Sequence, residues 1–178
     1  MTGDILIVDD QTANLQLLTQ VLSNAGYQTL RSAKQPKLAI EMALAKPPTL
    51  ILLDVRMPEM DGFEVCRRLK QEELTHDVPI IFVSALQDVQ DRVRGFEAGG
   101  VDFISKPFQE PEILARVKTH LTLRHIQQHL EDLVANRTTA LAAEIDEHRQ
   151  TEKSLARSEK RLRALFDWAN DGILTMED

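Results

Sequence analysis

Five side chains in this sequence are of types that handle phosphate and metal. Asp9 and Asp10 follow Ile5-Leu6-Ile7-Val8, Asp54 follows Leu50-Ile51-Leu52-Leu53, Ser84 follows Ile80-Ile81-Phe82-Val83, and Lys106 comes just after Phe103-Ile104. Adjacent carboxylates repel one another, raise at least one pKa and cost stability unless a cation neutralises them. An all-oxygen, incomplete ligand set with room for phosphate oxygens matches Mg²⁺, which keeps several waters and bridges carboxylate to phosphate. Were Asp54 to carry a phosphoryl group, the Ser84 hydroxyl and the Lys106 ammonium could each contact one of its oxygens while the cation took another.

That chemistry needs elements that bring the five residues together. From Ile5 to about Lys118, short aliphatic or β-branched runs alternate with helical patterns; besides those above, the runs are Tyr27-Gln28-Thr29-Leu30 and Val101-Asp102-Phe103-Ile104. The first, third and fourth runs are apolar throughout, as strands covered by helices on both faces require, which predicts the centre of a parallel sheet. Leu15, Leu18 and Leu22 recur at helical spacing before Asn24-Ala25-Gly26, and Val89, Val93 and Phe96 repeat the pattern before Gly99-Gly100. Asp61-Gly62-Phe63-Glu64 has the form of a capping box. Five βα units result, and in an open α/β sheet ligands bind at the carboxyl ends of the strands, where the five side chains fall.

Val8-Asp9-Asp10, Asp54 with Met57-Pro58-Glu59-Met60-Asp61-Gly62 behind it, Ser84-Ala85 and Lys106-Pro107-Phe108 occur in that order, each after its own strand. Together they resemble the receiver domain of two-component response regulators, over roughly residues 3 to 122. The resemblance implies an α/β fold, a doubly wound five-stranded parallel sheet of flavodoxin-like order 2-1-3-4-5, and Mg²⁺-dependent transfer of phosphate from a histidine kinase to Asp54. It implies that Asp9, Asp10 and Asp54 hold the metal with the Arg56 backbone carbonyl, that Ser84 and Lys106 contact the phosphate, and that Phe103 with Ser84 is the switch. Many relatives carry Tyr where Phe103 stands, so packing rather than a hydroxyl would carry the switch here. A cis Lys106-Pro107 peptide is also implied, at a bond type where the cis penalty is small.

After Pro111 no Gly or Pro occurs until Gly172, and Leu, Ala, Glu, Arg and Gln dominate, which predicts one long helix or two nearly continuous ones. Leu123, Ile126, Leu130 and Leu133 follow one register; Leu141, His148, Leu155 and Leu162, with Ile145 and Phe166 on companion positions, follow another. The registers differ by four residues, so a stutter is expected between Val134 and Leu141. A stripe this long, on the order of 80 Å from Glu110 to Leu165, has no cover within one chain, and a parallel homodimeric coiled coil through 123–165 is expected. Ser158 to Phe166 followed by Ala169-Asn170-Asp171-Gly172-Ile173 resembles the opening of a PAS domain. The expected divisions are a receiver domain at 1–122, a coiled-coil linker at 123–160 and a truncated PAS start at 161–178, with a histidine kinase or diguanylate cyclase as the output implied by analogy.

Composition narrows the class. The 178 residues carry 28 Asp+Glu against 21 Lys+Arg, a formal charge of -7 that opposes direct nucleic-acid binding. One cysteine, Cys66, excludes an internal disulfide, and no apolar run approaches the ~20 residues of a membrane span. The amino terminus lacks a basic region of signal-peptide type, so a cytoplasmic setting is expected. His125 and His129 have the spacing of a metal pair but lack a third ligand on their face, His148 lacks the proline expected after a kinase phosphoacceptor, and Cys66 is expected to pack rather than react. Two other functions compete. An aspartate-nucleophile phosphatase would carry Asp-x-Asp, whereas this chain has Asp54-Val55-Arg56. A pseudo-receiver, acting only as an interaction and dimerisation module, would typically have lost one of the site residues.

Overall fold

The computed structural model describes residues 3–85 and 89–174, with side chains as far as 165. The chain divides into two units, Met1–Gln127 and Gln128–Asp178.

The first unit alternates strand and helix throughout: β1 (Asp4–Val8), α1 (Thr12–Asn24), β2 (Thr29–Ala33), α2 (Pro36–Ala45), β3 (Leu50–Asp54), α3 (Gly62–Gln71), β4 (Ile80–Ser84), α4 (Val89–Glu97), β5 (Asp102–Ser105) and α5, which starts at Glu110 and runs to Leu174. The five strands pair in parallel in the order β2-β1-β3-β4-β5. This is the doubly wound, flavodoxin-like arrangement. β1, β3 and β4, the three continuously apolar runs, occupy the centre, and every residue of β3 and β4 is buried. Their side chains alternate between two cores. Leu6, Val8, Ile51, Leu53 and Phe82 face one, closed by Ala39, Ala43, Phe63 and Leu69; Ile5, Ile7, Leu50, Leu52 and Val83 face the other, closed by Leu15, Leu18, Leu22, Ile113 and Val117.

Four expectations need correction. β2 spans Thr29–Ala33 rather than starting at Tyr27, whose ring is buried in the turn after Gly26, a glycine at φ 91°. As an edge strand β2 has only one paired neighbour, and its mixed sequence Thr-Leu-Arg-Ser-Ala carries little of the apolar signal. β5 is shifted by one residue, to Asp102–Ser105. α4 forms, but Val89 (72% exposed), Val93 and Phe96 (54%) lie on its solvent side, and Gly95 is the residue it buries. The capping box at α3 is half made: the Asp61 carboxylate accepts from the Glu64 N–H at 2.8 Å, whereas the Glu64 carboxylate turns outward to Arg67 and Arg68.

In the second unit, α5 stays helical through Gly172 and Ile173, within the PAS-like segment. Every described side chain from His125 to Leu165 is exposed, including the stripe Leu130, Leu133, Leu141, Ile145, Leu155 and Leu162. The side chain of Phe166 and residues 175–178, and with them much of the PAS-like segment, lie outside the described residues. Among the described residues, no helix is long and apolar enough to cross a membrane.

Candidate phosphoacceptor site

β1 and β3 pair in register from Ile5–Leu50 to Val8–Leu53, so the residues that follow, Asp9 and Asp54, leave the sheet side by side at its carboxyl edge. β3 and β4 pair Asp54 with Val83, and β4 and β5 pair Ser84 with Ser105, which puts Ser84 and Lys106 at the same edge. Asp9, Asp10 and Asp54 each offer a carboxylate oxygen within 4.8 Å of the others'. Asp9 and Asp54 are 1% and 3% exposed, so the cluster is taken almost out of water.

One cation answers it. Lys106 Nζ donates to Asp54 Oδ1 at 2.8 Å and to Asp9 Oδ2 at 2.9 Å, bridging residues 52 and 97 positions away in sequence. The lysine is fixed from behind by its own N–H, which donates to the Ser84 carbonyl at 2.9 Å, and is followed by a cis peptide to Pro107. Burial alone would make Lys106 easier to deprotonate, but its hydrogen bonds and charge contacts with Asp54 and Asp9 together hold its pKa above the ordinary lysine value. Asp54 goes the other way from a normal ion-paired acid. Burial raises its pKa most, Asp9 and Asp10 raise it further, and the Lys106 bond offsets only part. One ammonium for three carboxylates leaves the site short of positive charge.

The remaining oxygens show where more charge would fit. Asp10 Oδ1 is buried without a hydrogen-bond partner, which costs free energy that a cation would recover. Beside it opens a groove of about 590 Å³ whose lining includes Asp10, Arg56, Met57, Asp61, Asp91 and Arg94. Hard oxygen donors, incomplete protein coordination and an open approach suit a hexacoordinate divalent cation. Ser84 is 4% exposed at the end of β4.

Phe103 is already indoors, 6% exposed, its ring centroid 5.3 Å from that of Phe82 in a tilted contact and 5.4 Å from that of Phe96 in an edge-on one. Phe82 in turn meets Phe63 at 5.1 Å, and the Arg94 guanidinium lies 5.1 Å over Phe63. A line of rings therefore runs from the start of α3, next to Asp54, to the outer surface of α4. Gly62, the residue before Phe63, is pressed onto the Asp54 carbonyl, where a Cβ would collide.

Three contributors lay beyond the sequence reading. Gln11 N–H donates to Asp9 Oδ1 at 2.8 Å, and Asn14 Nδ2 reaches both Asp9 oxygens, at 3.1 and 2.9 Å. At the other end of β5, the Asp102 carboxylate accepts from the Phe103 N–H, Arg116 and His120, joining the strand to α5. His125, His129 and His148 lie on α5 away from these carboxylates in sequence and are exposed. Cys66 is buried, its sulfur against the Ala98 carbonyl, and burial pushes its thiol up to about 11, which makes it a packing residue.

The response regulator receiver domain model matches residues 5–118. The chain belongs to the response regulator receiver family. Its receiver is 42% identical over 119 residues to the response regulator PleD of Caulobacter vibrioides, covering 67% of this chain and 26% of that protein. It is 41% identical over 120 residues to the DNA-binding dual master transcriptional regulator RpaA of Synechocystis, covering 66% of this chain and 48% of that one. The receiver domain of a signal transduction histidine kinase from Syntrophus aciditrophicus superposes with a TM-score of 0.63 at 36% identity, covering 68% of this chain and 91% of that one. The match thus spans about a quarter to a half of these curated relatives, and it is the receiver that they share.

Proposed function

We propose that this receiver takes a phosphoryl group from the phosphohistidine of a histidine kinase onto Asp54, in the cytoplasm, and passes the change on through α5. The observation that carries the reading is the Lys106 ammonium bridging two buried carboxylates, Asp9 and Asp54, beside a third whose oxygen lacks a partner. An Asp54 oxygen attacks phosphorus, the P–N bond to the donor imidazole breaks, and the imidazole leaves with its electron pair to be protonated. Asp9, Asp10 and Asp54, with the Arg56 backbone carbonyl, would make up the Mg²⁺ site, and the ion would supply charge neutralisation for the phosphoryl oxygens. Lys106 stays protonated throughout and pairs with a phosphoryl oxygen in place of the Asp54 oxygen that it now holds. Ser84 donates its hydroxyl to another, and Phe103 repacks against α4.

The output side of the reading is a parallel homodimer through residues 123–165, feeding a PAS domain and then a histidine kinase or diguanylate cyclase. It is supported by the exposed apolar stripe along α5 and by the anchoring of α5 to β5 at Asp102. The test is intact mass after incubation with acetyl phosphate, with and without Mg²⁺, on wild type and Asp54→Asn. One Mg²⁺-dependent phosphate that the variant lacks is the expected result. Wild type that stays unmodified, with a cognate kinase as well, would turn the assignment to a pseudo-receiver whose function is its helix.

A further inference from the structure

An ionised carboxylate offers about four lone-pair positions, and in Asp9 all are taken. Oδ1 accepts from Gln11 N–H at 2.8 Å and Asn14 Nδ2 at 3.1 Å; Oδ2 accepts from Asn14 Nδ2 at 2.9 Å and Lys106 Nζ at 2.9 Å. Asp10, next in sequence, has the opposite status, with a buried oxygen that accepts from nothing. Half of that occupancy comes from Asn14, in the first turn of α1, whose amide nitrogen straddles both Asp9 oxygens. The Gln11 and Lys106 contacts alone would leave one position open on each oxygen.

We infer that Asn14 is a specificity-determining residue, which clamps Asp9 out of the inner coordination sphere so that the site offers too few oxygens for Ca²⁺ and suits Mg²⁺. The inference rests on the metal reading proposed above. Mg²⁺ is content with a few protein oxygens and several waters in an octahedron, whereas Ca²⁺ takes six to eight oxygens at longer distance in a flexible shell. Freeing Asp9 would add one or two carboxylate oxygens beside Asp10 and Asp54, the change that favours the larger ion. Partners that orient metal-site carboxylates typically alter affinity 10- to 100-fold when removed.

The experiment is calorimetric titration of the full chain with Mg²⁺ and with Ca²⁺, for wild type, Asn14→Ala and Asn14→Ser, together with metal-free melting temperatures. The expected result is a Mg²⁺-to-Ca²⁺ affinity ratio lower by about tenfold in Asn14→Ala, with Asn14→Ser, which keeps one donor, in between. A helix-start residue with a merely structural role would shift the melting temperature and leave the ratio alone, and an unchanged ratio overturns the inference. Should Asn14→Ala fail to fold, the ratio in Asn14→Ser decides. Wild type that binds neither ion would overturn the metal reading and Asn14's role with it; wild type that binds Mg²⁺, with variants of equal ratio, would overturn the role of Asn14 alone.

Discussion

Gly95 of α4 lies against the ring of Phe103 so closely that a Cβ at that position would overlap the ring's Cζ atom. The helix is thereby seated on the ring without a side chain between them. Gly95→Ala is expected to cost about 1–3 kcal/mol as an overpacked contact and to force either the ring outward or α4 off the sheet. A fluorine label on Phe103 would report this as a resonance moved toward its solvent-exposed value before any phosphorylation. An unmoved resonance with unchanged stability would show that the contact is slack.

Asp54 should make the metal-free protein pH-sensitive. Its folded pKa is raised, first by burial and then by Asp9 and Asp10. The folded protein therefore binds the proton more tightly than the unfolded chain, and stability declines as pH rises from the ordinary aspartate range through the folded value. Asp54→Asn removes that decline, so its melting temperature should exceed wild type by a few degrees at neutral pH without metal. Saturating Mg²⁺ should narrow the gap by stabilising only wild type. A lower melting temperature for the variant would mean that the Lys106 bond outweighs burial.

Removing the ammonium has the opposite sign. Lys106→Met leaves Asp9 and Asp54 buried without their shared counter-charge, and an uncompensated buried charge costs about 3 kcal/mol. Urea unfolding should show that loss in the absence of divalent ions, and Mg²⁺ should restore more stability to the variant than it adds to wild type. Equal Mg²⁺ increments in both proteins would argue against a shared charge balance.

Asp102 gives an acid-side effect. Burial would raise its pKa, but hydrogen bonds from Arg116, the Phe103 N–H and His120 outweigh burial and hold it below the usual carboxylate range. Its contribution is present above the ordinary aspartate pKa and is lost as pH falls through the lower folded value. Asp102→Asn should cost about 1 kcal/mol at neutral pH, given the partly exposed pair, and less in strong acid. Hydrogen exchange in the first turns of α5 should speed up selectively; unchanged exchange would detach α5 from β5.

The apolar stripe of α5 predicts self-association. Leu141 and Leu155 are 42% and 61% exposed in the single chain, and carboxylates placed there would face each other across a parallel seam. Sedimentation equilibrium should give a dimer for wild type and a monomer for Leu141→Glu/Leu155→Glu. A wild-type monomer would remove the dimer from the proposal.

The site was legible where chemistry and strand pattern coincided. Apolar runs marked β1, β3 and β4, and residues at or just after the ends of such runs had to meet at one edge, which places Asp9, Asp54 and Ser84 together from the sequence alone. Lys106 followed from the same logic on β5. Asn14 was not legible, because a polar residue in the first turn of a helix reads as solvated surface; only the path of the loop from Asp9 brings its amide back onto that carboxylate. α4 misled for a related reason. Val89, Val93 and Phe96 keep helical spacing, yet the contact with the sheet is made through Gly95, a residue with no apolar signal at all.

Because Lys106 follows β5 while the carboxylates that it bridges follow or end β1 and β3, the charge balance of the cluster is incomplete during synthesis. A nascent chain that has left the ribosome only through β4 holds Asp9, Asp10 and Asp54 with no ammonium among them, and the carboxylate cluster meets its counter-charge only once the fifth strand has emerged and paired.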